Sequence, residues 1–341
     1  MLPVSTDSST PVNSRIPTAG ECDFGAWMLN WLVQAWERSM SGLSFVWLEI
    51  TGKCQLECVH CYADSGPQGA HGTMATEDWV AVIGQVAALG ARMVQFIGGE
   101  PTLHGALPDL VGHALGRGLE VEVFSNLVHV SEPLWEVFSQ PRMRLATSYY
   151  ADQADQHESI TKRRGSYTRT KTNIIEAVRR SIPLRVGLID LADGQRVEHA
   201  RAELAALGVT EFGVDRLRQV GRGVRDLQPD VAQLCGHCAR GKIAIATNGD
   251  VWPCVFSRWM PVGNVRHQSL AEIVIGPAMS DAEQQISAGV KRNPGSDPAR
   301  PGCDPLCCPS TMCDPQCSPS CSPSCRPANN CRPTGNCAPN Y

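Results

Sequence analysis

TGKCQLECVHCY, residues Thr51 to Tyr62, follows the β-rich run Phe45 to Ile50 and places Cys54, Cys58 and Cys61 in a C-x3-C-x2-C spacing within one loop. Three thiolates leave one position of a four-iron cluster unfilled, because such a cluster needs a ligand on each iron. One iron is then open to a small molecule. A structural zinc takes four protein ligands, and His60 or His71 is the candidate for the fourth. The spacing and the position directly after a strand favour the cluster.

Working outward from that loop, short runs rich in Val, Ile, Leu and Phe alternate with amphipathic stretches, the pattern of a parallel sheet built from βα units. Six strands are expected at Phe45–Ile50, Met93–Ile97, Glu120–Ser125, Leu145–Tyr150, Leu184–Asp190 and Glu211–Leu217. Helices are expected at Glu77–Leu89, Ala106–Gly116, Ser166–Arg180 and Arg196–Leu207, where apolar residues recur every three to four positions. Gly90, Gly118 and Gly208 stand just past helix ends, where a left-handed cap is favoured. Six units are too few to close an eight-stranded barrel, so the class is α/β with a partial (β/α)6 barrel. Functional residues then gather at strand C-terminal ends. The second strand ends in FIGGEP, the third in Phe124, Ser125 and Asn126, and the fourth in Ser148, Tyr149 and Tyr150, with Asp152 and His157 following.

With these motifs in place, the chain resembles the radical S-adenosylmethionine (SAM) superfamily, whose signature is this cysteine spacing after the first strand of a partial barrel. The resemblance implies that Cys54, Cys58 and Cys61 hold a 4Fe-4S cluster whose open iron binds the amino and carboxyl groups of SAM. It implies that His60 lies near the adenine, that Gly98 and Gly99 let the backbone approach the ligand, and that Glu100 meets the SAM ammonium group. Ser125, Asn126 and Ser148 are implied contacts to ribose and the methionine carboxylate. Relatives often carry an Arg four residues after the His157-like position. Thr161 stands there instead, with Lys162, Arg163 and Arg164 as candidates to compensate.

Beyond Leu217 the pattern changes to Gly221, Arg222 and Gly223. Cys235 and Cys238 come next, then a hairpin expected through Ile243–Ala246, Asn248-Gly249 and Val251–Pro253. NGDVWPC, ending at Cys254, is similar to the entry of the C-terminal SPASM extension of one branch of this superfamily. Its cysteine run is matched by Cys303, Cys307, Cys313 and Cys317, with a one-residue departure at the first gap. By resemblance Cys235, Cys238, Cys254 and Cys317 hold one auxiliary 4Fe-4S cluster. Cys303, Cys307, Cys313 and one later cysteine hold another, Cys321 being nearest in sequence among Cys308, Cys321, Cys325, Cys331 and Cys337. Zinc in either group stays open on spacing alone. The expected organisation is an N-terminal extension over 1–41, a barrel over 42–220, a small cysteine-rich iron-sulfur domain over 221–320 and a Cys/Pro-rich tail over 321–341.

Sixteen cysteines in 341 residues, nine of them from Cys303 onward, suit metal ligation in a reducing compartment. A formal charge of −4 and a pI near 6.1 argue against a polyanion partner. Neither a membrane span nor a signal-peptide pattern stands in the sequence, so the expected location is cytoplasmic, with no nucleic acid or membrane partner. A Trp27, Trp31, Leu32, Trp36 stripe reads as a helix packed against the barrel. KRNPGSDPARPG, residues 291–302, reads as a linker.

The function implied is oxidative modification or crosslinking of a ribosomally made peptide by a 5′-deoxyadenosyl radical, with an electron donor such as flavodoxin or ferredoxin. The alternative is dehydrogenation of a small molecule such as a sugar or cyclitol. Forty-odd residues before the first strand are too few for a leader-recognition domain, so the barrel or a separate protein is expected to hold the leader. A non-enzymatic zinc or iron-sulfur scaffold would explain the cysteines but not GGEP. Tyr149, Tyr150, Asp152 and Glu158 are near enough to be considered as the general base, which stays unassigned.

Overall fold

The computed structural model describes residues 42–191, 194–224 and 228–291. The Trp27–Trp36 stripe, most of the expected linker, and Cys303, Cys307, Cys313, Cys317, Cys321 and the rest of the tail lie outside the described residues.

Six parallel strands form as expected: β1 Phe45–Thr51, β2 Met93–Gly98, β3 Glu120–Phe124, β4 Met143–Tyr149, β5 Leu184–Asp190 and β6 Glu211–Arg216. They lie in chain order, one βα unit beside the next, with β6 at one edge of the sheet. β1 is buried along its whole length, which explains why it reads as a continuous apolar run instead of an alternating one. Its Val46, Leu48 and Ile50 pack under the helices with Trp79, Val82, Ile83 and Val86. Those four come from the helix Thr76–Ala88, where their 3.6-residue spacing makes one buried stripe. The carboxylate of Asp78 starts that helix by accepting the Ala75 N–H at 2.8 Å.

The opposite face of the sheet is layered. Gln95, Glu122, Arg144, Arg185 and Glu211 occupy one layer. Arg185 grips Glu122 with bonds of 2.7 and 2.6 Å, while Arg144 lies 3.1 Å from Glu122 and 2.8 Å from Glu211. Burial pushes the Glu122 carboxyl up, but the charges and hydrogen bonds of Arg185, Arg144 and Gln95 outweigh it and hold Glu122 below the usual range. Stepping an even number of residues toward each strand's C-terminus stays on that face and reaches Ile97, Phe124, Ser148, Ile189 and Asp215, which line a cavity.

The expected hairpin exists as β7 Lys242–Ile245 and β8 Asp250–Trp252, joined to β9 Gly263–Asn264. Its placement joins it to the barrel sheet. β7 pairs in parallel with β1, so one sheet of order β6-β5-β4-β3-β2-β1-β7-β8-β9 runs through both parts. Four helices were not expected: Glu132–Phe138, Ala154–Thr161, Leu270–Ile275 and Pro277–Lys291. The last carries the chain through residue 291, the first of the expected linker. Among the described residues, no helix is long and apolar enough to cross a membrane.

Candidate functional site

Cys54, Cys58 and Cys61 line one cavity of about 1010 Å³, counted to its open mouth, at the C-terminal ends of the parallel strands. The backbone prepares their sulfurs. The N–H of Leu56 donates to Cys54 Sγ at 3.4 Å and that of Ser65 to Cys61 Sγ at 3.4 Å, while Asn126 Nδ2 lies 3.6 Å from Cys54 Sγ. Burial pushes the Cys54 and Cys58 thiols up to about 12, and the neighbouring Glu100 and cysteine charges add to it. Buried thiols whose ionisation is opposed in this way are donors that a cation completes. Among the described residues, no group of three or more His, Cys, Asp or Glu converges on a single metal-ion position. A four-iron cluster takes one cysteine per iron, and three thiols lining one cavity are a donor set of that kind. His71 is not a fourth ligand candidate in this arrangement: its Nδ1 lies 2.9 Å from Thr51 Oγ1, and it stands outside the cavity lining.

His60 lines the cavity edge-on to Tyr150, with ring centroids 5.1 Å apart and a buried, unpartnered Nδ1. Burial and the charge of Arg222 lower it to about 4, so it is neutral at physiological pH. His157 also lines the cavity with an unpartnered Nδ1, and burial lowers it to about 4 as well. Of the four general-base candidates only Tyr150 lines the cavity. Tyr149 turns away to donate to Glu203 at 2.7 Å, Asp152 pairs with Arg196 at 2.7 Å, and Glu158 accepts the Gly165 N–H at 2.8 Å.

The GGEP segment packs against the root of the cysteine loop. Gly98 has φ +147, and a Cβ there would stand 2.2 Å from the Thr51 carbonyl, while one on Gly99 would stand 2.3 Å from that of Lys53. Both line the cavity, yet the close approach that demands glycine is to the root of the cysteine loop. Glu100 is fully buried, and its carboxylate accepts from Thr102 N at 3.0 Å, Thr102 Oγ1 at 2.7 Å and Asn126 N at 2.7 Å. It stands outside the cavity lining, as does Ser125, whose Oγ accepts the Leu127 N–H at 3.0 Å. Asn126 and Ser148 do line the cavity. So does Thr161, hydrogen-bonded to Ser166 at 2.7 Å, whereas Lys162, Arg163 and Arg164 are exposed and outside the lining.

Sequence reading missed the far wall. Tyr62, Asp215, Arg218 and Phe256 complete the cavity. Arg218 is buried and donates to Asp215 at 2.9 and 3.2 Å and to the Gln233 carbonyl at 3.0 Å. Asp215 stands at the C-terminal end of β6, where the strand-end rule points. Arg218 and Phe256 also line a second, smaller cavity of about 330 Å³ that holds Cys235, Cys238 and Cys254. There the Cys238 thiol hydrogen-bonds to both Cys235 and Cys254. The bond from Cys238 lowers the Cys254 thiol, and the Phe256 N–H, 3.3 Å from Cys254 Sγ, assists. Arg218 and Phe256 thus face both cysteine cavities.

The comparisons with known proteins fall on the same two regions. Residues 48–207 match the Radical SAM superfamily and residues 235–309 match SPASM, an iron-sulfur cluster-binding domain. The antilisterial bacteriocin subtilosin biosynthesis protein AlbA of Bacillus subtilis is 23% identical over 264 residues, 67% of this chain and 59% of AlbA. Fe-coproporphyrin III synthase of Methanosarcina barkeri is 36% identical over 81 residues, 24% of this chain and 20% of the synthase. The chain therefore spans under two thirds of the length of both. Among solved structures, Streptococcus suis SuiB bound to precursor peptide SuiA superposes with a TM-score of 0.61 at 13% identity, covering 84% of this chain and 75% of SuiB, a likeness of fold. With both regions matched in order, Cys54, Cys58 and Cys61 at one cavity and Cys235, Cys238 and Cys254 at another, the chain belongs to the radical SAM superfamily and carries a C-terminal SPASM domain.

Proposed function

We propose that this radical SAM chain is an oxidoreductase that modifies or crosslinks a ribosomally made peptide. The carrying observation is the convergence of Cys54, Cys58 and Cys61 on a strand-end cavity that shares its Arg218–Phe256 wall with the Cys235, Cys238 and Cys254 site. The two domains imply iron-sulfur clusters and SAM binding. Cys54, Cys58 and Cys61 would hold the SAM cluster. Cys235, Cys238 and Cys254, with tail cysteines Cys303, Cys307, Cys313, Cys317 and Cys321, would hold two auxiliary ones. When bound, the reduced cluster supplies cleavage of SAM to methionine and a 5′-deoxyadenosyl radical that removes hydrogen from the substrate.

The chain's own residues supply the container. Asn126 and Ser148 offer short polar groups to a ligand, and His60 and His157 offer neutral rings. Ile97, Phe124, Ile189 and Phe256 give that space apolar walls. The cavity opens to solvent at its mouth, the side from which a substrate would reach SAM. The peptide reading is supported by the similar proteins AlbA, named for bacteriocin biosynthesis, and SuiB, seen in complex with a precursor peptide. An electron donor such as flavodoxin or ferredoxin, and a separate protein holding the peptide leader, complete the proposed system.

The test is incubation of the anaerobically reconstituted, reduced chain with SAM and candidate short peptides from neighbouring reading frames. Formation of 5′-deoxyadenosine together with a peptide lighter by two hydrogens is the expected result. Turnover of a sugar or cyclitol with no change in the peptide would replace the peptide reading by the small-molecule one.

A further inference from the structure

The turn Gly221–Val224 lies across the cysteine loop, and one residue of it makes most of the contact. Arg222 donates from Nε to the Cys58 carbonyl at 2.8 Å, from Nη2 to the Ser65 carbonyl at 2.6 Å and from Nη1 to Asp64 at 2.8 Å. Its own N–H donates to the Cys61 carbonyl at 2.9 Å. Four loop residues are therefore held by one residue 164 positions beyond Cys58. The loop's internal bonds, Cys61 N–H to Cys58 and Asp64 N–H to Cys61, are longer at 3.2 Å. Gly221, at φ +58, lets the turn press onto this backbone: a Cβ there would stand 2.4 Å from the carbonyls of Cys61 and Tyr62.

Loops with few internal bonds open at little cost, and a metal-binding loop that must order itself during ligation loses affinity by that amount. The planar guanidinium suits the task because its fixed fork satisfies several carbonyls at once, which a lysine ammonium cannot do in the same geometry. We propose that Arg222 is a positioning residue for the first cluster, holding the Cys58–Ser65 turn in its metal-ready shape before iron arrives. This rests on the reading of Cys54, Cys58 and Cys61 as cluster ligands.

The experiment uses the full chain in metal-free form. Hydrogen exchange of the peptide spanning residues 58–66 is measured in wild type, Arg222→Ala, Arg222→Lys and Asp64→Asn, followed by the rate of iron uptake under limiting iron and sulfide. Arg222→Ala should exchange about tenfold faster in this peptide, the size expected from losing charged hydrogen bonds, with the strands unchanged, and should take up iron more slowly. Arg222→Lys should fall with it. Asp64→Asn, which removes only an exposed partner, should stay within about twofold of wild type. Unchanged exchange, exchange raised equally across the chain, or faster exchange with wild-type iron uptake would each overturn the proposal. If Arg222→Ala does not fold, Arg222→Lys decides by the same readouts. Failure of the ligand reading is separate, because Cys54→Ala, Cys58→Ala and Cys61→Ala combined would then leave the iron content of the chain at its wild-type value.

Discussion

Glu100 ties the ends of two neighbouring strands together by accepting the Asn126 N–H at 2.7 Å, just past the end of β3, while its other oxygen takes both donors of Thr102. The carboxylate is fully buried, and burial raises its pKa against the pull of these donors. Glu100→Gln turns one acceptor into a donor facing a donor. The metal-free, SAM-free protein should therefore lose about 1–3 kcal/mol of unfolding free energy in denaturant titrations. A variant as stable as wild type, with only its SAM affinity reduced, would contradict the brace and favour a direct contact to the ligand.

Glu122 and Arg185 form a buried pair beneath the cavity, each about 2% exposed in its side chain. Removing the carboxylate's charge in Glu122→Gln leaves Arg185 and Arg144 short of an anion, and roughly 3–5 kcal/mol of destabilisation is expected. The sign with pH follows from the depressed carboxyl. Its contribution is complete above the ordinary value of 4.5 and is lost as pH falls through the lower folded value. Melting temperature should thus drop on acidification below about pH 4.5 more steeply in wild type than in Glu122→Gln. Parallel curves would remove the pair from the acid response.

Gly98→Ala should be among the most damaging single-methyl changes in the chain. The added Cβ would meet the Thr51 carbonyl at 2.2 Å, and φ +147 is itself adverse to a side chain. Loss of soluble protein, or failure to retain iron in protein that does fold, is expected. Wild-type iron content and melting temperature would mean that the β2 end shifts freely.

The cysteine spacings, the six strands and the strand-end rule were legible because each leaves a local trace: fixed gaps, apolar periodicity and glycine at turns. Leu184–Asp190 is reproduced to the residue. The helix Ala154–Thr161 escaped because its face is largely polar, with only His157, Ile160 and Thr161 buried. The Glu100–Asn126 contact, the Arg218–Phe256 wall and the Arg222 strap left no local trace at all. They join residues far apart in sequence, and nothing near Arg222 announces that its partners are Cys58 and Ser65. Nor does the hairpin's pairing with β1 follow from the Asn-Gly turn, which fixes the hairpin but not its neighbour.

Truncation divides the tail cysteines. Three four-iron clusters amount to about twelve irons per chain, and a chain ending after Cys325 should keep them, while one ending after Cys313 should fall short. Iron and sulfide assays decide between them. A full count without Cys317 onward would remove the tail from the auxiliary ligand set, and a loss confined to removal of Cys331 and Cys337 would move the last ligand there.

The most direct test of the account is SAM cleavage by the chain in which Cys54, Cys58 and Cys61 are all replaced by Ala. Reconstituted anaerobically and reduced with dithionite, wild type should release 5′-deoxyadenosine and methionine, while the triple variant should release neither and keep the iron bound by its other cysteines. Release of 5′-deoxyadenosine at the wild-type rate by the triple variant would contradict the assignment of these three cysteines and the function built on them.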